Sequence, residues 1–116
     1  MPDGQRRIDI TAHPARVRVT VGDVVVADTR RALALMEEGY PVRLYIPRQD
    51  VDMRRLERSR HVTQCPWKGE ASYYSAGAAE NVAWSYELPF AGVAAIRGHL
   101  SFYPDKARIE DNLQDL

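Results

Sequence analysis

Cys65 and His61 stand four residues apart, and a thiol with an imidazole is the usual pairing for an activated nucleophile. A free cysteine is also a common small buried side chain. Just beyond, Lys68-Gly69-Glu70 sets an ammonium two positions from a carboxylate. On an extended strand both would face one side, with Lys68 orienting an anionic or carbonyl-bearing group and Glu70 acting as a base. A solvated pair at the same spacing would contribute little. Both tryptophans and three of the six tyrosines surround these groups: Trp67, Tyr73, Tyr74, Trp84 and Tyr86. Rings gathered this way either fill a core or stack on a planar ligand and hold a cation over their faces. The expected ligand-binding residues are Trp67, Tyr73, Trp84 and Tyr86, with His61, Cys65 and Lys68 as polar neighbours. The candidate catalytic residues are Cys65, His61, Lys68 and Glu70, with His99 as an alternative base for Cys65.

Other charged groups read as structural. Asp50-Val51-Asp52 would place two carboxylates on one strand face, the arrangement used in magnesium-dependent transfer. It precedes Met53-Arg54-Arg55-Leu56, where acidic residues cap a helix start and suit its dipole. No glycine-rich phosphate loop accompanies it. One cysteine and three histidines do not supply the usual zinc ligand set, so neither zinc nor any other metal or cofactor is expected. Arg54, Arg55, Arg58 and Arg60, with Arg30 and Arg31 elsewhere, read as a solvated basic face offset by Glu57 and the acidic tail.

Whole-chain properties narrow the classes. A length of 116 residues suits one domain. Sixteen basic and sixteen acidic residues give a formal net charge of zero, whereas nucleic-acid binders usually carry a basic excess. No nucleic-acid partner is expected. The single cysteine cannot form an internal disulfide, which fits a reducing compartment. No apolar run approaches the roughly 20 residues that span a bilayer, and the polar first residues lack a signal core. A cytoplasmic protein without membrane association is expected.

The elements must place these groups. Val17, Val19 and Val21 alternate, and Gly22-Asp23 separates them from Val24-Val25-Val26, which predicts a two-residue hairpin. Asp28 or Thr29 is positioned to cap a helix over Arg30 to Glu38, ended by Gly39. Val42, Leu44 and Ile46 predict a third strand, and Met53 to Arg58 a short helical turn. Val62 to Gln64 reads as a short strand. Glu70 to Ala76 and Val82 to Glu87 read as paired strands joined by Gly77 to Asn81, with Val82, Trp84 and Tyr86 on one face. Pro89 to Ile96 reads as an irregular link, Gly98 to Tyr103 as a strand, and Ala107 to Ile109 as partly strand-like. Residues 1–14 are expected to form an arm, 15–110 the domain and 111–116 a tail. No regular βαβ alternation appears. The expected class is α+β, mainly β: a compact curved antiparallel sheet or barrel-like domain with one or two short helices.

The segments Arg16-Val17-Arg18-Val19, Gly22 to Asp28, Tyr45-Ile46-Pro47 with Asp50-Val51-Asp52, Cys65 to Tyr73, Ala83-Trp84-Ser85-Tyr86 with Pro89, and Ile96 to Tyr103 resemble the bacterial domain-of-unknown-function family 427. The resemblance spans about Arg16 to Ile109. It implies a small β-rich, tent-like domain, similar in shape to methionine sulfoxide reductase B and the cereblon ligand-binding domain. Those relatives commonly carry a four-cysteine zinc site, which this chain lacks. It also lacks the second cysteine that would resolve a sulfenic acid. Some catalogues give the family a nucleotidyltransferase label, which the cap-like Asp50-Val51-Asp52 does not support. The resemblance therefore implies a sheet pocket that binds a small molecule between aromatic rings. An enzyme and a self-associating interaction module, forming a homo-oligomer through a sheet edge, are the alternatives.

Overall fold

In a computed structural model, residues 7–114 of the chain are described. The hairpin forms as its pattern predicts. Strand β2 (Val17–Val21) turns at Gly22-Asp23 into β3 (Val24–Thr29), with Gly22 at φ +60°. This positive φ is open to glycine without the steric penalty a side chain would bring.

The first departure lies on either side of that hairpin. Residues 30–38 do not form a helix; Ala32–Glu37 is strand β4. It pairs on one edge with β1 (Ile8–His13) and on the other with β5 (Arg43–Tyr45). The expected arm is thus a sheet strand over Ile8–His13, while residues 1–6 lie outside the described residues. Tertiary pairing overrides the helix preference of Ala, Leu, Met and Glu, because β4 is the middle strand and its ladder needs both neighbours. Thr29 does not cap a helix either; its hydroxyl donates to Asp50 and accepts from the Arg31 amide.

After β5 come two single 3-10 turns, Arg48–Asp50 and Met53–Arg55. A sheet follows with strand order β6 (Glu57–Cys65), β7 (Gly69–Ala76), β8 (Ala79–Ser85) and β9 (Ser101–Phe102). Strand β6 is longer than the Val62–Gln64 segment expected. A 3-10 segment, Ala91–Ile96, bridges β8 and β9. Strand β10 (Arg108–Glu110) returns to pair with β2. Beyond it the Leu113 amide donates to the Arg16 carbonyl and His13 meets Asp111 at 2.7 Å, so the near end of the expected tail is tied down. Residues 115–116 lie outside the described residues. The protein is mainly β, as expected; its described residues form three antiparallel sheets with only 3-10 helix, and these sheets do not close into a barrel. Among the described residues no helix is long and apolar enough to cross a membrane.

The β7–β8 pair is buried on both faces. Tyr74 lies opposite Ala83 and packs with Val17, Val19, Val26, Leu100 and Phe102. Tyr73 lies opposite Trp84 and packs with Leu35, Tyr45, Tyr86 and Ile96. Adjacent tyrosines enter different cores because successive strand residues point to opposite faces. Val82 packs in the first core rather than with Trp84 and Tyr86, as the register slips near Ala76.

A polar knot closes the end of the first core. Arg48 donates to Glu87 at 2.9 Å and to the Gly98 carbonyl at 3.1 Å. Tyr74 donates its hydroxyl to Glu87, and Arg58 bonds Ser72 at 2.9 Å while lying 3.5 Å from Glu87. Burial pushes the Glu87 carboxyl up, but the Tyr74 hydroxyl and the two guanidiniums outweigh it and hold the carboxyl below its usual range. Burial and the Glu87 hydrogen bond push the Tyr74 phenol up. A depressed carboxyl stabilises the fold above its unfolded value, about 4.3, and that stabilisation is lost as pH falls through the folded value. The urea midpoint is expected to fall steadily on acidification from about pH 5 to pH 3. Glu87→Gln should lower the midpoint at pH 7 and flatten this acid limb. An unchanged limb in the variant would show that Glu87 is not a source of it.

Candidate functional site

The second core does not close completely. In the β4–β5 ladder, Leu33 lies opposite Tyr45 and Leu35 opposite Arg43. Cross-strand partners share a face, so Leu33, Leu35, Glu37, Arg43 and Tyr45 all present to one side. Cys65, Tyr73 and Trp84 on β6–β8, and Tyr86 just beyond β8, face them. A cavity of about 490 Å³ remains, lined by both groups. Tyr45, Tyr73, Trp84 and Tyr86 are buried and form its floor. Trp67 and Tyr103 are half-buried and Tyr40 is exposed, so they and Pro66 stand nearer the mouth.

The rings fix one another. Trp84 donates its indole N–H to the Tyr45 hydroxyl at 3.1 Å, with the two rings edge-on at 88° and 6.3 Å between centroids. Trp84 also packs on Tyr103 at 4.4 Å. The Tyr73 hydroxyl pairs with Thr63 Oγ1 at 3.0 Å. Burial pushes the Tyr45 phenol up to about 12 and raises those of Tyr86 and Tyr103 as well, so all three stay protonated at neutral pH.

Lys68 reaches this space from the turn between β6 and β7. Its amide donates to the Cys65 carbonyl at 3.3 Å, and its carbonyl accepts from the Phe90 amide at 3.0 Å. Gly69, at φ +113°, lets the chain reverse here; a Cβ would stand 3.5 Å from the Leu88 carbonyl oxygen and in strained backbone. Lys68 Nζ then lies 2.6 Å from Glu37 Oε1, with the side chains only 9% and 10% exposed. The ammonium sits 5.8 Å from the Tyr86 ring centre. This ion pair joins the two sheets across the cavity wall.

The sequence candidates therefore separate. Trp67, Tyr73, Trp84, Tyr86, Cys65 and Lys68 line one cavity. Glu70 does not share a side with Lys68, because Gly69 interrupts the extended backbone that the spacing assumed; Glu70 is exposed and accepts from Gln64 at 3.0 Å. His61 is exposed, its ring packed 4.5 Å from that of Tyr73, and no hydrogen bond among the described residues joins it to Cys65. His99 lies in a separate groove beside Arg48 and Glu87. Asp50 and Asp52 make no side-chain caps, contrary to expectation. Asp50 accepts from Thr29 at 2.6 Å and from Arg31 at 2.9 Å, and Asp52 accepts from Arg54 at 3.0 Å. These arginine hydrogen bonds lower both carboxyls. Among the described residues no three His, Cys, Asp or Glu side chains come close enough to hold a metal.

Sequence reasoning missed Glu37, Arg43, Tyr45 and Tyr103. The signal was present: alternation of Val42, Leu44 and Ile46 puts Arg43 and Tyr45 on the opposite face, which borders the cavity. Glu37 was hidden by the helix reading of its segment.

A buried charge left alone is costly, whereas loss of both partners is tolerated better. Lys68→Met should destabilise the protein by about 3–5 kcal/mol in urea unfolding. Adding Glu37→Gln should recover part of that loss, with a coupling of at least about 1 kcal/mol in the double-mutant cycle. Additive losses would show that the pair does not act as a unit.

Residues 9–112 match the model of a domain of unknown function, DUF427. No curated protein matches the chain. The match runs from β1 through β10 and takes in every residue that lines the cavity. The chain belongs to domain-of-unknown-function family 427.

Proposed function

We propose that this protein binds a small planar molecule in the aromatic cavity between the β1–β4–β5 and β6–β9 sheets. The observation that carries this reading is the convergence of Tyr45, Tyr73, Trp84, Tyr86, Trp67 and Tyr103 on one space of about 490 Å³. That volume lies within the usual span for small-molecule sites, about 300–1,000 Å³. Such sites combine apolar and aromatic walls with few polar groups, and here Arg43, Lys68, Glu37 and the phenols supply them. The floor is preorganised by the Trp84–Tyr45 hydrogen bond and by cross-strand packing, so little ordering would oppose binding. Trp67, half-buried, lines the same space and adds aromatic surface for a bound ring.

A thermal-shift screen against metabolites and nucleotides tests the reading, since a ligand of the native state raises apparent stability by mass action. At least one planar compound should raise the melting temperature by several degrees. Trp67→Ala should weaken its binding about tenfold, the worth of one stacked ring. A screen without hits, or hits indifferent both to Trp67→Ala and to Tyr86→Phe, would contradict it.

A further inference from the structure

We infer that the ligand of this cavity is a flat aromatic molecule bearing an anionic group of the carboxylate class, and that Arg43 receives that group. The inference rests on the binding role proposed above. Among the described residues three formal charges line the cavity, Arg43, Lys68 and Glu37, which leave one net positive charge. Lys68 and Glu37 neutralise one another at 2.6 Å. Among the described residues no carboxylate is paired with Arg43; its guanidinium carbon lies 5.5 Å from the Trp84 ring centre. A guanidinium held over a ring keeps its planar fork of donors free for a carboxylate.

The hydroxyls agree with this charge. Tyr86 is 6% exposed and lines the cavity, yet its hydroxyl makes no hydrogen bond within the described residues. Burial keeps it protonated, so it can donate to a group in the cavity. Tyr45 accepts from Trp84 and has its own proton to give. The one carboxylate at the wall among the described residues is engaged by Lys68. The lining therefore offers donors and a net positive charge, and asks for acceptors.

A cationic ligand fits less well, although tyrosines and tryptophans elsewhere cage ammonium groups. Here the cavity's own cations already lie by the rings, Arg43 by Trp84 and Lys68 by Tyr86. A further cation would meet the net positive charge of this lining, with the one wall carboxylate among the described residues already engaged by Lys68.

Calorimetry with naphthoate, naphthamide and naphthyltrimethylammonium separates these possibilities, because the three share one ring system and differ in charge. The intact protein should bind naphthoate about tenfold more tightly than naphthamide, the scale of one charge-assisted hydrogen bond, and the cation most weakly. Arg43→Gln should bring the preference for naphthoate over naphthamide below about threefold. Naphthamide or the cation binding as tightly as naphthoate would overturn the inference while leaving a small-molecule site in place. Absence of binding by all three would overturn the inference, whereas the failure of a wider screen would remove the site itself. The ranking in the intact protein carries the test even if Arg43→Gln folds poorly.

Discussion

The pairing of Tyr73 with Trp84 and of Tyr74 with Ala83 governs the molecule. One ladder with adjacent tyrosines cannot send both rings to the same side. Each side then needs a cover. The β10–β2–β3 sheet covers Tyr74, and the β1–β4–β5 sheet covers Tyr73 and Trp84. The first cover is valine-rich, with Val17, Val19 and Val26 buried against Tyr74 and Phe102. The second meets two large rings packed against Tyr45 and Tyr103, and a cavity remains beside them. The cavity is thus a consequence of strand alternation combined with bulky aromatic pairs.

Charge is distributed to suit the two sides. Around the first core, Glu87 is surrounded by Arg48, Arg58 and the Tyr74 hydroxyl, which fastens the 3-10 turn after β5 to β6, β7 and the end of β8. Around the second, the Lys68–Glu37 pair spans from one sheet to the other. Buried pairs of this kind contribute little net stability, since desolvation opposes their attraction. They penalise misregistered packing heavily, because a slip would leave a charge without its partner. The chain is neutral overall, yet among the described residues no carboxylate pairs with Arg43 beside the cavity.

Much of this was legible in the amino-acid pattern. Val17 to Val26 announced its hairpin through alternation and Gly22-Asp23, and the aromatic segment from Cys65 to Tyr86 correctly pointed to where rings gather. Strand β4 was not legible, since Ala32-Leu33-Ala34-Leu35-Met36-Glu37 consists of strong helix formers between a capping residue and a glycine. Only its two partners make it a strand. One of these, β1, carries Ile8, Ile10 and Ala12 at alternate positions, a faint signal among polar neighbours. The separation of Lys68 from Glu70 was likewise invisible, because it depends on Gly69 adopting φ +113° beneath Leu88 and Pro89. Long-range placement of Glu37 and Arg43 beside the rings followed from β4 being a strand, and so was lost with it.

Both tryptophans of the chain line the cavity, one half-buried near its mouth and one at its floor. Their two indole N–H resonances therefore report on this space. In a nitrogen-edited spectrum titrated with naphthoate, both signals are expected to shift saturably with a single shared midpoint. Indole signals that stay fixed while backbone amides elsewhere move, or that shift with unrelated midpoints, would contradict a ligand site between the two sheets.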